Sequence, residues 1–564
     1  MAQPPGQPPQ GGFGPPQDQP PQGAFGAPPP PLGPPAAPQP GYGYPQAPHQ
    51  QPGPYAQPGP YGRPPQPGPY GRQPGYGHPP QPQYPGGPGR TPLKSRTGLV
   101  IAAAVAALAV VGGTVYAVTG GGSDGKKPVA GKSDGARPSA SDTPVDQGDG
   151  SGNGGADPEN LNKGRQPGEA RVLWYKSAPD APGAGADAPG MWITGSTAVK
   201  AAYKQVFAYR VADGRQAWAT VSFPQKICAV TAGKSANDKV LVAYESGTSD
   251  RAKCNQLQQL DLNTGARGWS TTLPDGALFD SAISISMSIT GKTVMVGRSQ
   301  SGAAFDIDSG RKLFDKKRYG DACFPTAFAG GGRLISVASC DAGGANEHDE
   351  MQELDPRTGR VRWTRKFDKG WTVARTYSVD PLVVYSTNET KKAWNISTFG
   401  ADGRFRSQVG FDENFAPQCG WAIISRDLQG CEGVAADAST LYLPTDAKSG
   451  ANEIVAINLA DGKEKWRVTS PAAESMLPMK VEGGRLVAYV EPSYREGGRV
   501  VSIPTAGSDH RPATLLRNPA STAAIENGFF SKAFAWVDGR FYLSTTRLNG
   551  NDTTKEKLML AFGK

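Results

Sequence analysis

The chain has 564 residues, among them 74 glycines and 54 prolines, with a formal net charge of +9 and only four histidines. Past residue 170 its basic residues are interspersed with nearly as many acidic ones, which argues against nucleic-acid binding, since neutralising phosphates takes clustered cations. His348 and His510 alone lie in that part, too few for a Ser-His-Asp or Cys-His constellation to stand out, and no GxxxxGK[ST] phosphate loop is present.

Residues 1–96 are rich in Pro, Gly, Gln and Tyr, with PGPY units starting at Pro52, Pro58 and Pro67. Apolar aliphatic side chains are too sparse there to offset the entropy of ordering, so the segment is predicted as a disordered tail, partly polyproline II. It serves as a solvated spacer or offers itself to a proline-reading partner. Residues 97–119 form a charge-free run with an apolar core from Leu99 to Val118. A helix of about twenty such residues spans a bilayer of roughly 30 Å and satisfies its own backbone there.

Arg90, Lys94 and Arg96 precede the run and the first acid after it is Asp124, which places the N-terminus in the cytoplasm and the rest outside. The tail ahead of it is long for a cleaved leader, so the run reads as an uncleaved signal anchor of a single-pass cell-membrane protein. Residues 120–169, mostly Gly, Ser, Asp and Pro, read as a flexible tether.

From 170 to 564 one plan recurs: a strand, a turn containing glycine, then a strand carrying a large aromatic. It reads VFAYRVADGRQAW from Val206, LQQLDLNTGARGW from Leu257, AAFDIDSGRKLF from Ala303, MQELDPRTGRVRW from Met351 and IVAINLADGKEKW from Ile454. Weaker copies are ISTFGADGRF from Ile396 and VVSIPTAGSDHRPATLL from Val500. Four short strands in each unit of about 45 to 60 residues signal a propeller blade, with strands near Ile227–Val230, Val240–Tyr244, Leu257–Leu262 and Gly268–Thr272 in the second unit.

The last copy, KLMLAFG from Lys557, lacks its fourth strand, and RVLWYK from Arg171 is a fourth strand without a blade. Joining them gives an all-β, eight-bladed propeller whose outer strands carry Trp174, Trp218, Trp269, Phe314, Trp363, Phe405, Trp466 and Leu515 as blade-packing residues. Seven blades is the alternative if the Val500 unit is incomplete.

The repeat, clearest from Met351 and from Ile454, resembles that of pyrroloquinoline-quinone-type propellers over roughly residues 170 to 564. It occurs in quinoprotein alcohol dehydrogenases, in a non-catalytic lipoprotein of outer-membrane protein assembly, and in sensor-like ectodomains of bacterial kinases. The enzymes typically add a disulfide between adjacent cysteines, an acidic base with calcium ligands and often a CxxCH haem site. This chain has no adjacent cysteines and no CxxCH. The resemblance therefore implies a non-enzymatic module, without cofactor or metal, that binds a protein, peptide or cell-envelope ligand as scaffold or sensor. A quinone-dependent dehydrogenase is the alternative.

Six cysteines beyond residue 200, none in CxxC spacing, point to disulfides rather than zinc, with free thiols as the other reading. Their positions within the units group Cys228 with Cys254, Cys323 with Cys340 and Cys419 with Cys431, all on the face of the fourth-to-first and second-to-third connections. On that face Trp421, between the last two cysteines, and Trp371 are candidate ligand contacts, each with ordinary packing as its plainer role. Glu347, His348, Asp349 and Glu350 lack the alternate spacing of a calcium loop and read as a solvated charge run.

Overall fold

The computed structural model describes residues 159–420, 426–447, 450–550 and 556–564, with the backbone of 147–148. The tail, the apolar run at 97–119, most of the tether and Trp421 lie outside them. No helix among the described residues is long and apolar enough to cross a membrane.

Eight four-stranded antiparallel blades form the propeller. Blades 1 to 7 follow in chain order as 191–222, 227–272, 286–316, 323–366, 372–408, 435–469 and 476–517. Blade 8 takes its inner three strands from 532–537, 540–545 and 557–563 and its outer strand, Arg171–Ser177, from far upstream. There Trp174 stands opposite Ala561 and Arg171 opposite Gly563. Gln147–Gly148 adds in parallel beyond that strand, with Gln147 opposite Tyr175. Residues 159–169, within the stretch read as tether, pack onto the propeller as well. Leu161 is buried, the Asn162 amide holds the N–H and the C=O of Val172 at 2.9 and 3.0 Å, and Lys557 pairs with Glu159 at 3.0 Å.

Neighbouring blades cover both faces of each sheet, so middle strands are apolar without alternation. Thr293–Gly297 and Thr440–Pro444 are buried throughout. Outer strands such as Arg267–Thr272, Val361–Lys366 and Glu464–Thr469 are mostly exposed with the aromatic half-buried, and the charges on them guard the free edges against pairing with another chain.

The third-to-fourth turns show why the repeat has its residues. Asp261, Asp306 and Asp355 each accept, on one carboxylate oxygen, the backbone N–H groups two and three residues on and the hydroxyl of Thr264, Ser309 and Thr358 respectively. Gly265, Gly310 and Gly359 then turn the chain at φ of 71°, 72° and 71°. Beneath each lies the aromatic of the preceding blade: a Cβ on Gly265 would stand 2.6 Å from the Trp218 ring, and one on Gly310 2.5 Å from that of Trp269.

The indole N–H groups of Trp174, Trp218, Trp269 and Trp363 donate to carbonyls of Val211, Leu262, Ile307 and Ala401 in the next blade at 3.4, 3.1, 2.9 and 3.2 Å. These bonds tie each of the four tryptophans to the blade that follows it.

Two positions depart from this pattern. Trp466 lies flat on His510, centroids 4.3 Å apart, because the stretched turn of blade 7 presents that ring in place of a glycine, and its buried indole N–H has no partner. Phe405 is 46% exposed and turns edge-on to Phe399 of its own blade, since the backbone of Gln408 occupies the place under Gly462. Between blades 7 and 8 runs a short helix, Ala523–Gly528, with no counterpart in the repeat pattern. Its buried Glu526 accepts hydrogen bonds from Tyr489, Asn518 and Thr522 at 2.9, 3.1 and 2.6 Å, which fasten the helix to blade 7.

Candidate functional site

Strand direction gives the ring two unlike faces. One carries the first-to-second and third-to-fourth turns, most of them short, with longer ones in blades 2 and 7. The other carries the second-to-third and fourth-to-first connections, which differ in length and sequence. The three disulfides join Cys228 to Cys254, Cys323 to Cys340 and Cys419 to Cys431, at sequence separations of 26, 17 and 12. The described chain has no free cysteine. Among the described residues seven large apolar side chains are exposed, and five of them, Leu278, Phe279, Ile283, Tyr494 and Phe530, sit on connections of this second face. The other two, Val361 and Phe405, belong to outer strands.

The longest connection, between blades 5 and 6, leaves the loop face and enters the axis of the ring. Its ribbon pairs Gln418–Cys419 with Cys431–Glu432, and Gln418 reaches Glu491, at the loop-face end of blade 7, at 3.2 Å. Beyond the ribbon, buried Leu428 accepts from the N–H and hydroxyl of Thr376 at 2.8 and 3.0 Å. The Gln429 amide donates to Gly330 O at 2.8 Å and accepts from Gly330 N at 2.9 Å. Gly330 belongs to the hairpin turn at the opposite end of blade 4's inner strand, so this segment runs from one mouth of the channel toward the other.

Arg375 secures the segment by donating to the carbonyls of Gly420, at 2.6 Å, and Asp427. Arg426 pairs with buried Asp349 at 2.6 Å. The third disulfide, expected as a staple on an exposed loop, thus closes a ribbon leading into the channel. Glu432, on that ribbon, has its carboxyl pushed up by burial to about 7.

The charge run of the sequence is used structurally. Asp349 also accepts from Val373 N at 2.8 Å, and Glu350 takes the Tyr319 hydroxyl at 3.0 Å and stands 3.3 Å from His348. Those two side chains lie beside Cys323 and Cys340 within 4.8 Å, but the sulfurs are joined to each other and offer no thiolate to a metal. Trp371 is half-buried where the chain enters the inner strand of blade 5, and Trp421 lies outside the described residues. The six cysteines are all consumed in the three disulfides, none of them between adjacent residues.

Sequence reasoning missed Arg375, Gln429 and Leu278 with Phe279. The length of the insertion marked Gln429, and nothing in the sequence marked Arg375, which lies in the inner strand of blade 5. The third pair stands in LFDSAISI, which reads as an ordinary apolar run.

Comparison with known proteins accords with this architecture. The family model described as outer membrane protein assembly factor BamB matches residues 166–322 and 347–506, more than half of the chain. The chain belongs to that family. The quinone-type repeat expected from the sequence is the repeat of this BamB family. Among solved structures, BamB from Moraxella catarrhalis aligns over 66% of this chain and 96% of its own, with 14% identity and a TM-score of 0.38. Quinohemoprotein alcohol dehydrogenase from Comamonas testosteroni aligns over 70% and 77%, with 12% identity and a TM-score of 0.41. No curated protein matches this chain.

Proposed function

We propose that this protein is a single-pass membrane protein whose propeller, held outside the membrane by residues 97–119 and a tether, binds a protein partner as a scaffold. The observation that carries this reading is the concentration on one face of five of the seven large apolar side chains that are exposed among the described residues. Single exposed apolar residues are ordinary, whereas a collection of them on loops of a rigid ring provides contact area without disturbing the blade cores. The family supports the same reading, since its description is that of an assembly factor. Three disulfides suit an oxidising compartment, in keeping with the outward orientation.

Proximity labelling from the C-terminus of the full chain in intact cells tests this. A reproducible envelope protein that is lost when the five apolar loop residues are replaced by serine is the expected result. Labelling unchanged by those replacements, or dye-linked alcohol oxidation on adding quinone and calcium, would overturn it.

A further inference from the structure

The connection between blades 2 and 3, residues 274–285, holds two large apolar side chains out into solvent: Leu278 is 80% exposed and Phe279 79%. Phe279 sits at φ 67°, a conformation that a bulky residue keeps only when its surroundings impose it. Those surroundings are a polar network directly beneath the tip. Asp280 and Arg298 are both almost fully buried and 3.4 Å apart. Asp280 also accepts from the Ser301 hydroxyl at 2.5 Å and from Gln300 N at 2.8 Å, while Arg298 donates to Pro274 O at 3.1 Å and to Ser301. Lys253 fixes the start of the loop through Asp275 at 2.5 Å. The Ser299 hydroxyl adds a bond to the Phe279 carbonyl at 3.1 Å, and burying an arginine, an aspartate and a serine to hold two apolar side chains in solvent is costly unless the tip has a use.

Beside the tip opens a cleft of about 900 Å³, lined on its apolar side by Leu278, Ala303, Phe305 and Phe324. Its rim is basic. Asp275, Asp280 and Asp315 are matched by Lys253, Arg298 and Lys312, the last at 2.8 Å, whereas exposed Lys317 and Arg318 have no carboxylate partner among the described residues. Arg318 instead donates to the Asp321 carbonyl and lies over the Phe324 ring.

We infer that this cleft seats an extended segment of a partner protein in which a large apolar side chain stands next to acidic residues. The apolar side chain enters against Phe305 and Phe324 under Leu278, with Phe279 as the next exposed residue of the tip, and the carboxylates meet Lys317 and Arg318. The chain's own upstream segment is a poor occupant, because residues 120–146 contain acids but no apolar side chain larger than Val129 and Val145. A second copy is disfavoured by like charge, since Lys317 and Arg318 would face their own counterparts.

The inference rests on the reading of the propeller as a protein-binding module, and its test separates the two. Displayed random peptides are selected on the immobilised full chain, and the enriched peptides are then measured by fluorescence anisotropy. Enrichment of Asp or Glu beside Leu, Phe or Trp is expected. So is a loss of affinity of about tenfold or more for Lys317→Glu with Arg318→Glu, and for Leu278→Ser with Phe279→Ser, with a salt-dependent difference only in the first pair. Each variant is checked for unchanged thermal unfolding, and the milder Lys317→Gln with Arg318→Gln gives an intermediate loss.

Peptides without acidic bias, no enrichment, or affinity indifferent to both pairs would overturn the assignment of the cleft. A photo-crosslinker at position 279 that joins the full chain to itself or to a second copy would overturn the choice of occupant. If proximity labelling still finds a partner whose capture ignores these variants, the cleft fails and the scaffold reading stands; if no partner is found at all, the scaffold reading fails.

Discussion

The two faces of the ring are built on opposite terms. On the turn face, an aspartate, a hydroxyl residue, a glycine and a preceding aromatic are fixed together: the carboxylate ties the turn, the glycine supplies its φ, and the missing Cβ makes room for the ring below. Each residue is constrained by the next blade, so the face repeats. On the loop face the connections end where the strands end, nothing periodic constrains them, and they hold two of the disulfides, the mouth of the channel ribbon and the solvent-facing Leu278 and Phe279. Changes on the first face are therefore expected to appear as stability and changes on the second as recognition.

The largest effect is expected at a glycine of the turn face. Gly265→Val places a branched Cβ at φ 71° and 2.6 Å from the Trp218 ring, and a loss of about 3 kcal/mol or more in denaturant unfolding is expected. Removing a covalent tie on the loop face, with Cys228→Ser and Cys254→Ser together, frees a loop of 26 residues and should cost roughly 3 kcal/mol as well. The contrast lies in locality. Strain at the glycine should lower the midpoint of the whole ring, whereas reduction should first expose the amides of blade 2 to hydrogen exchange.

A smaller effect distinguishes two tryptophans at equivalent places. Trp218→Phe gives up the bond to Leu262 O and should cost about 1 kcal/mol. Trp466→Phe deletes an indole N–H that has no partner and should cost less, and equal losses would show that the rings act by area alone.

The smallest effects are in pH dependence, and the two regions have opposite signs. Hydrogen bonding from Thr358, then from Arg362, lowers the Asp355 carboxyl from 3.8 to about 2. Its stabilisation is complete above 3.8 and is lost as pH falls toward 2, and Asp355→Asn removes that dependence. Burial raises the Glu432 carboxyl from 4.5 to about 7, so the folded state favours the protonated form. Its contribution is present below 4.5 and fades as pH rises to about 7, and Glu432→Gln flattens the melting temperature across that interval. Matching pH profiles for the two variants would break the comparison.

What could be read in the sequence follows the same division. The blade count and the closure by Arg171–Ser177 were legible because glycine turns and aromatics obey local rules that repeat. The disulfide pairs were legible because each joins neighbours within one unit or one insertion. The course of residues 426–430 was not, since its partners Gly330, Asp349 and Thr376 lie in earlier blades and no local pattern encodes them. Phe405 looked equivalent to its counterparts because the displacement by the Gln408 backbone is a matter of packing. The exposure of Leu278 and Phe279 was hidden for a similar reason: the polar network that holds them out involves Arg298 and Ser301 of the next blade.

The closing strand orders events in time as well as in space. Arg171–Ser177 is synthesised before any blade and Lys557–Gly563 after seven of them, so the clasp stays open while the intervening ring is made. Loop-closure entropy rises only slowly with length, so this delay adds little to the equilibrium cost of closure. Its effect is kinetic: until the last strand arrives, two unpaired edges coexist on one chain, and a ribosome stalled in blade 8 would leave a nearly finished ring with both of them exposed.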